Sequence, residues 1–207
     1  MKLNYFGIVG AILAFVSLVL PWWVYSLRSS ALGNSVYDGA TLYTFQAKVT
    51  MIGISTVASN PWYNSTALVF LVLGGLAGLI GSVIGKGRRI ALALGGILAL
   101  FSVVVFAVGL QNDISNGVFA GLPKGAFLFS SGSYGVFEAP FNYSTYLSFG
   151  FWLAFIAAIV MFAAIAREPA KATSELGAGF DLFDGIIIAI MIVVVILVVW
   201  LSSMIGR

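Results

Sequence analysis

Residues 61–111 read PWYNSTALVFLVLGGLAGLIGSVIGKGRRIALALGGILALFSVVVFAVGLQ, and this stretch decides the fold. It holds two apolar runs without a charged side chain, 65–85 and 90–111. Four residues carrying Lys86, Arg88 and Arg89 divide them. About 20 apolar residues at a 1.5 Å rise cross the hydrocarbon core of a bilayer, so each run predicts a transmembrane helix and the pair a hairpin. A short basic loop between two spans marks the cytoplasmic side, so Lys86, Arg88 and Arg89 set the topology.

Three more runs of the same kind lie further out, at 3–25, 146–166 and 186–206. Carrying the orientation along the chain puts the N-terminus with Lys2 inside and loops 26–64 and 112–145 outside. Residues 167–185 then lie inside and the C-terminus outside. Six basic residues fall inside by this map (2, 86, 88, 89, 167 and 171) and four outside (28, 48, 124 and 207). The N-terminal run is also open to reading as a signal peptide. Ser29-Ser30-Ala31 is a poor cleavage site far beyond the apolar run, which favours an uncleaved first helix.

Composition agrees with a membrane class. The 207 residues are 61% hydrophobic and 8% charged, against roughly 25% charged in a soluble domain. The chain therefore reads as one multi-pass domain in the plasma membrane. Its net charge of +3 is assigned to orientation rather than to an acidic partner, and no nucleic acid is expected. With no cysteine and no histidine, the usual ligands of zinc, haem and iron–sulfur clusters are missing, and no cofactor is expected. The only acids placed outside, Asp38, Asp113 and Glu138, show no pairing suited to acid–base chemistry. The expectation is a protein that is not an enzyme. Intramembrane charges mark ion paths and proton relays, so an ion-coupled carrier is disfavoured. A pore lined by backbone carbonyls remains open.

The two outer loops echo each other. GATLY at 39–43 resembles GAFLF at 125–129, and PWYNSTAL at 61–68 resembles PFNYSTYL at 140–147. Such a match suggests parallel helix hairpins related by an axis along the membrane normal, with shared interface composition as the alternative. Residues 41–51 alternate with period two, which predicts a half-buried strand. Residues 125–130 and 133–138 flank Ser131-Gly132 and predict a β-hairpin with its turn there. Trp22, Trp23, Tyr25, Trp62, Tyr63, Tyr143 and Tyr146 read as an interfacial aromatic belt. Phe119, Phe127, Phe129 and Phe137 read as packing within the loops. Asn64 and Asn142 each begin an Asn-x-Ser/Thr sequon on the outer side, candidates for N-glycosylation.

Small residues recur every fourth position: Gly74 and Gly78, Gly81 and Gly85, then Ala91, Gly95 and Ala99, then Gly150, Ala154 and Ala158. That spacing lets helix backbones approach closely, within one bundle or between copies. Residues 186–206 are rich in Ile and Val instead, which places a fifth helix at the periphery against lipid or a partner subunit. The fold class expected is thus an all-α membrane protein. Residues 1–166 form a four-helix bundle with a small extracellular β-rich cap. A cytoplasmic linker at 167–185 and a fifth helix at 186–207 follow.

Pro21-Trp22-Trp23 closing the first helix, a β-rich first loop and Gly150-Phe151-Trp152-Leu153-Ala154 opening the fourth helix resemble the claudin and peripheral-myelin-protein type of tetraspan membrane protein. The resemblance covers residues 1–166. It implies a left-handed four-helix bundle under a small extracellular sheet, working through contacts in the membrane plane or between cells. This chain departs from that pattern in lacking the Gly-Leu-Trp segment and cysteine pair of the first loop, and in adding a fifth helix. Three functions stay open on sequence: a non-enzymatic scaffold, assembly or cell-surface contact protein; an accessory subunit of a larger respiratory or secretory membrane complex; and a small pore or transporter for an uncharged substrate. Membrane lipid, further copies of the chain and other membrane subunits, met through the fifth helix and the cap, are the expected partners.

Overall fold

The computed structural model of the chain describes residues 3–29, 36–84, 87–119, 122–123, 126–136 and 139–166. Gly85, Lys86, the linker 167–185 and the fifth apolar run 186–206 lie outside these residues. In chain order the elements are α1 (Tyr5–Val19), β1 (Trp23–Ser29), β2 (Val36–Leu42), β3 (Ala47–Met51) and β4 (Ile54–Ala58). Then come α2 (Trp62–Val83), α3 (Arg88–Ser115), β5 (Phe129–Val136), β6 (Ala139–Leu147) and α4 (Phe149–Ala166).

The fold is not an all-α bundle. Among the described residues four helices share it with one six-stranded antiparallel sheet in the order β4-β3-β2-β1-β6-β5. Two local misreadings account for the difference. The run 3–25 is not one helix, because Pro21 lacks an N–H and drives the preceding residue out of the helical region. Leu20 is accordingly extended, at φ −96° and ψ 151°, and the β-branched and aromatic residues after it enter β1. PFNYSTYL at 140–147, which looked like a second copy of the α2 entry, is strand β6, paired with β1 on one side and β5 on the other. PWYNSTAL instead puts Pro61 at the N-cap of α2, where its missing N–H costs nothing. The same pattern thus builds a helix once and a strand once, so the hairpin repeat is not a structural one.

Two strand expectations are corrected in detail. Residues 41–51 are not continuous: the chain turns at 43–46, with the Tyr43 amide donating to the Gln46 carbonyl at 2.9 Å. β5 runs straight through Ser131-Gly132 rather than turning there, and pairs as far as Val136 with Ala139.

α2, α3 and α4, with 22, 28 and 18 residues, are long and apolar enough to cross a membrane. α1 is apolar but only 15 residues long, about 22 Å against a hydrocarbon core of about 30 Å. The helices close into a ring in which α1 and α3 each pack on both α2 and α4. Asn4 ties α1 to two neighbours. Its Oδ1 caps α1 by accepting from the Gly7 amide, its amide donates to Ser82 of α2, and its Nδ2 donates to the Ala164 carbonyl of α4 at 3.0 Å. Arg88 lies in the first turn of α3, not in a loop, and its Nε donates to the Ile84 carbonyl at the end of α2. A cation satisfies a helix C-terminus there, against the negative end of its dipole.

The predicted small-residue seams join α2 to α3. A Cβ on Gly74 would stand 2.9 Å from the Gly95 carbonyl oxygen, and one on Gly81 2.9 Å from the Leu92 amide nitrogen. Gly78 and Gly95 also border the bundle axis, which Met161 of α4 fills. A Cβ on Gly10, Gly78 or Gly95 would come within 2.8, 3.0 and 3.0 Å of the Met161 side chain. Ala154 and Ala158 are fully buried on the same helix. Gly95→Ala should therefore lower the thermal unfolding midpoint in detergent by more than Gly75→Ala. The first must displace backbone of α2, whereas the second meets only the ring of half-buried Phe15.

Candidate functional site

The sheet is bound to the bundle through Trp22, one residue past Pro21. Its indole is fully buried, edge-on to Phe106 of α3 at 5.0 Å and to Phe151 of α4 at 5.9 Å. Its Nε1 donates to the Ser17 carbonyl of α1 at 2.9 Å. Its amide donates to Leu42 of β2, and its carbonyl accepts from Ser148 just ahead of α4. Gly150 is required beside it, because any Cβ there would collide with the indole ring and with the Leu20 and Pro21 carbonyls. Trp23 adds a second layer, with its Nε1 on the Phe127 carbonyl and its ring 4.9 Å from Phe119. Trp22, Trp23, Tyr25 and Tyr63 are therefore core residues, not members of an exposed belt. Trp62 and Tyr146 do stand exposed. Phe119 and Phe127 pack as expected, Phe129 is exposed, and Phe137 lies outside the described residues.

Strand register gives the sheet a near end and a far end. Trp23 pairs with Leu42 and Leu147, Leu42 with Ala47, and Ala47 with Ala58. Every one of these residues lies next to a helix or a turn facing the bundle. The opposite ends, Ser29 of β1 and the Met51–Ile54 closure of β3 and β4, point away from it. Leaving the bundle, the chain thus presents its β3–β4 hairpin as the outermost pair on one side of the sheet.

This hairpin is the candidate site. Ile52 and Gly53 connect its strands with φ of 51° and 76°, so both central residues have the positive φ of a type I′ turn. Gly53 suits that conformation, while a β-branched residue at positive φ is a strained exception. The Gly53 amide donates to the Tyr37 carbonyl of β2 and fixes the turn to the sheet. Thr50 and Ser55 hydrogen-bond through their hydroxyls at 2.9 Å, and the Thr56 hydroxyl donates to the Val49 carbonyl. Large apolar side chains meanwhile face solvent on both sides: Ile52 is 73% exposed, Val57 70% and Ile54 68%, with Met51 beside them. Lys48 of β3 lies over the Tyr43 ring at 5.6 Å, close to the bundle end. Sequence reading missed this edge because period two marks strands without saying which of them is outermost. The dipeptide Ile-Gly also hides a turn normally written Asn-Gly.

The remaining sequence candidates lie elsewhere. Asn142 is exposed on β6, opposite Ser133 of β5. Asn64 is fully buried in the first turn of α2, with its Nδ2 donating to Asn60 Oδ1 at 2.9 Å, so it does not present itself as a glycan acceptor. Asp38 accepts from the Gly39 amide in β2. Asp113 adjoins the Tyr63 hydroxyl near the end of α3, without a hydrogen bond of standard geometry from that hydroxyl. Glu138 lies outside the described residues.

Comparison with known proteins leaves the site to speak for itself: no family model matches the chain, and no curated protein matches it. The turn makes a direct prediction. Ile52→Asn relieves the unfavourable φ and should raise the unfolding midpoint, by an amount on the order of 1 kcal/mol in stability.

Proposed function

We propose that this chain is a non-enzymatic membrane contact protein, in which a four-helix anchor holds a six-stranded sheet outside the bilayer for binding. The observation that carries this reading is a contrast within one molecule. The bundle axis is filled by Met161 against glycines of three helices, while the outermost hairpin of the sheet exposes Met51, Ile52, Ile54 and Val57. A pore for an uncharged solute needs a path where Met161 sits. A binding surface needs exposed apolar groups on a fixed support, which the Trp22 layer supplies. Orientation follows the basic residues: the Arg88–Arg89 end faces the cytoplasm and the sheet faces out, in the plasma membrane. The likeness to claudin-type tetraspans is one of build, four helices under a sheet, and carries no function with it.

Purification in mild detergent tests the reading against an accessory-subunit role. The chain is expected alone or with further copies of itself, and stoichiometric partners of different sequence would count decisively for the subunit role. Liposomes holding the pure protein are expected to retain entrapped glycerol or sucrose as well as empty ones do, and leakage would restore the pore. In a host that glycosylates, Asn142→Gln should remove any glycan mass, and Asn64→Gln should leave it unchanged.

A further inference from the structure

α1 and α2 are level at one end of the bundle only. The Asn4 amide donates to the Ser82 carbonyl at 3.1 Å, so the start of α1 stands beside the last turn of α2. α2 has 22 residues and α1 only 15, so a step of about 10 Å, at 1.5 Å per residue, falls at the sheet end. The β2–β3 turn, residues 43–46, fills that step. Its Thr44 is fully buried, with the hydroxyl donating to the Leu18 carbonyl of α1 at 3.3 Å. The Thr44 carbonyl accepts from Nδ2 of Asn60, just ahead of the α2 N-cap. The turn therefore stands on the end of α1, flush with the first turn of α2, a helix apolar enough to cross a membrane.

Its side chains are graded in polarity away from the bundle. Phe45 is exposed in the turn itself, and its ring lies 5.6 Å from that of half-buried Tyr43. Lys48, further along β3, is exposed and holds its ammonium 5.6 Å from the centre of the Tyr43 ring. The one acid of β2, Asp38, lies opposite Met51 at the other end of β3, so it does not neutralise Lys48. The sheet also aims this group. Phe119, which follows α3, covers Trp23 and Tyr25 on one sheet face. Strand register puts Ala47 on that face and Lys48 on the other. Because α1 lies diagonally across the helix ring from α3, the Lys48 face overlooks the α1 flank.

We infer that the β2–β3 turn is a lipid anchor, seated in the outer leaflet above α1. Phe45 enters the upper acyl chains, Tyr43 lies at the level where chains meet headgroups, and the Lys48 ammonium meets lipid phosphate. Apolar, amphipathic and cationic side chains follow one another here in the order in which a leaflet presents acyl chain, interface and phosphate. Aromatic rings settle at that interface, and lysine extends its apolar stem along them to keep its charge in the headgroups. The exposed wall of α1, with Val16 and Val19 near its end, leads directly up to the turn, so lipid covering the one meets the other. The inference takes from the contact reading only that the bundle lies in the bilayer and the sheet outside it. It is independent of what the β3–β4 hairpin binds.

The chain has no cysteine, so a single introduced one can carry a fluorophore in the full-length protein. Phe45→Cys, Lys48→Cys and Ile54→Cys all replace exposed side chains and should leave the unfolding midpoint nearly unchanged. Each labelled protein goes into phosphatidylcholine liposomes that carry a nitroxide either on the headgroup or part-way down the acyl chain. The label at position 45 should be quenched most by the acyl-chain nitroxide and that at 48 most by the headgroup nitroxide. The label at 54, at the far end of the sheet, should be quenched by neither. Adding Lys48→Glu to Phe45→Cys sets a carboxylate against phosphate, and should shift quenching at 45 from the acyl-chain to the headgroup nitroxide. Unchanged quenching there overturns Lys48 as the phosphate contact. Labels at 45 and 48 that escape both nitroxides and are open to aqueous iodide put the turn in water, which overturns the anchor and leaves the contact reading standing. A label at 45 shielded from iodide and nitroxide alike makes protein the occupant, a second copy or residues 186–206, and overturns lipid. Quenching at 54 equal to that at 45 lays the whole sheet on the membrane, and overturns both the confined anchor and the contact reading.

Discussion

Close approach of backbones around Met161 is the constraint on which the rest depends. Lipid gives helices no hydrophobic reason to associate, so association comes from van der Waals contact, and that contact requires near-complete filling. Gly10, Gly78 and Gly95 remove side chains from three helices at one level, and a single flexible thioether from the fourth helix occupies what they leave. Methionine suits the position because its unbranched chain adapts to an irregular gap. Once these helices are drawn together, their ends at the sheet side are fixed relative to one another. The Leu42 and Ser148 backbones can then both reach Trp22.

Trp22 converts that bundle geometry into sheet geometry. One side chain touches α3 and α4 and bonds back to α1, while its own backbone belongs to the row of hydrogen bonds that opens the sheet. Strand register propagates outward from there. With Trp23 opposite Leu42 and Leu147, the pairings of Ala47 and Ala58 follow by antiparallel counting, and so does the position of the Ile52 turn. Position and exposure of the outer hairpin are thus consequences of packing in the helix bundle, several strands away.

Much of this was legible from the chain alone, and the boundary is instructive. The apolar spans of α2, α3 and α4 were readable because each depends on local composition, whereas the spacing of Gly74, Gly81 and Gly95 marked close-packing faces without saying that α2 and α3 meet through them. The sheet was underestimated because its strands borrow apolar stretches that also satisfy a helix pattern. Residues 146 and 147 counted toward a span and belong to β6, and residues 23 to 25 counted toward α1 and belong to β1. PWYNSTAL and PFNYSTYL differ in outcome because β1 stands beside one and not the other, a fact about the third dimension that no window of sequence contains. Met161, one of five methionines, carries no positional signal of its own.

The short first helix has a consequence for the lipid itself. At 15 residues α1 offers a hydrophobic wall about 22 Å tall, while α2 offers one of 22 residues, about 33 Å. A bilayer surrounding both meets a protein that is low on one flank and high on another. It must thin, or the molecule must lean, at a cost of fractions of a kcal/mol per Å of mismatch. In a bilayer, such a profile would favour places where the membrane is thin, and neighbours with equally low flanks would share the deformation. Such sorting would concentrate copies in the plane without any direct contact between them.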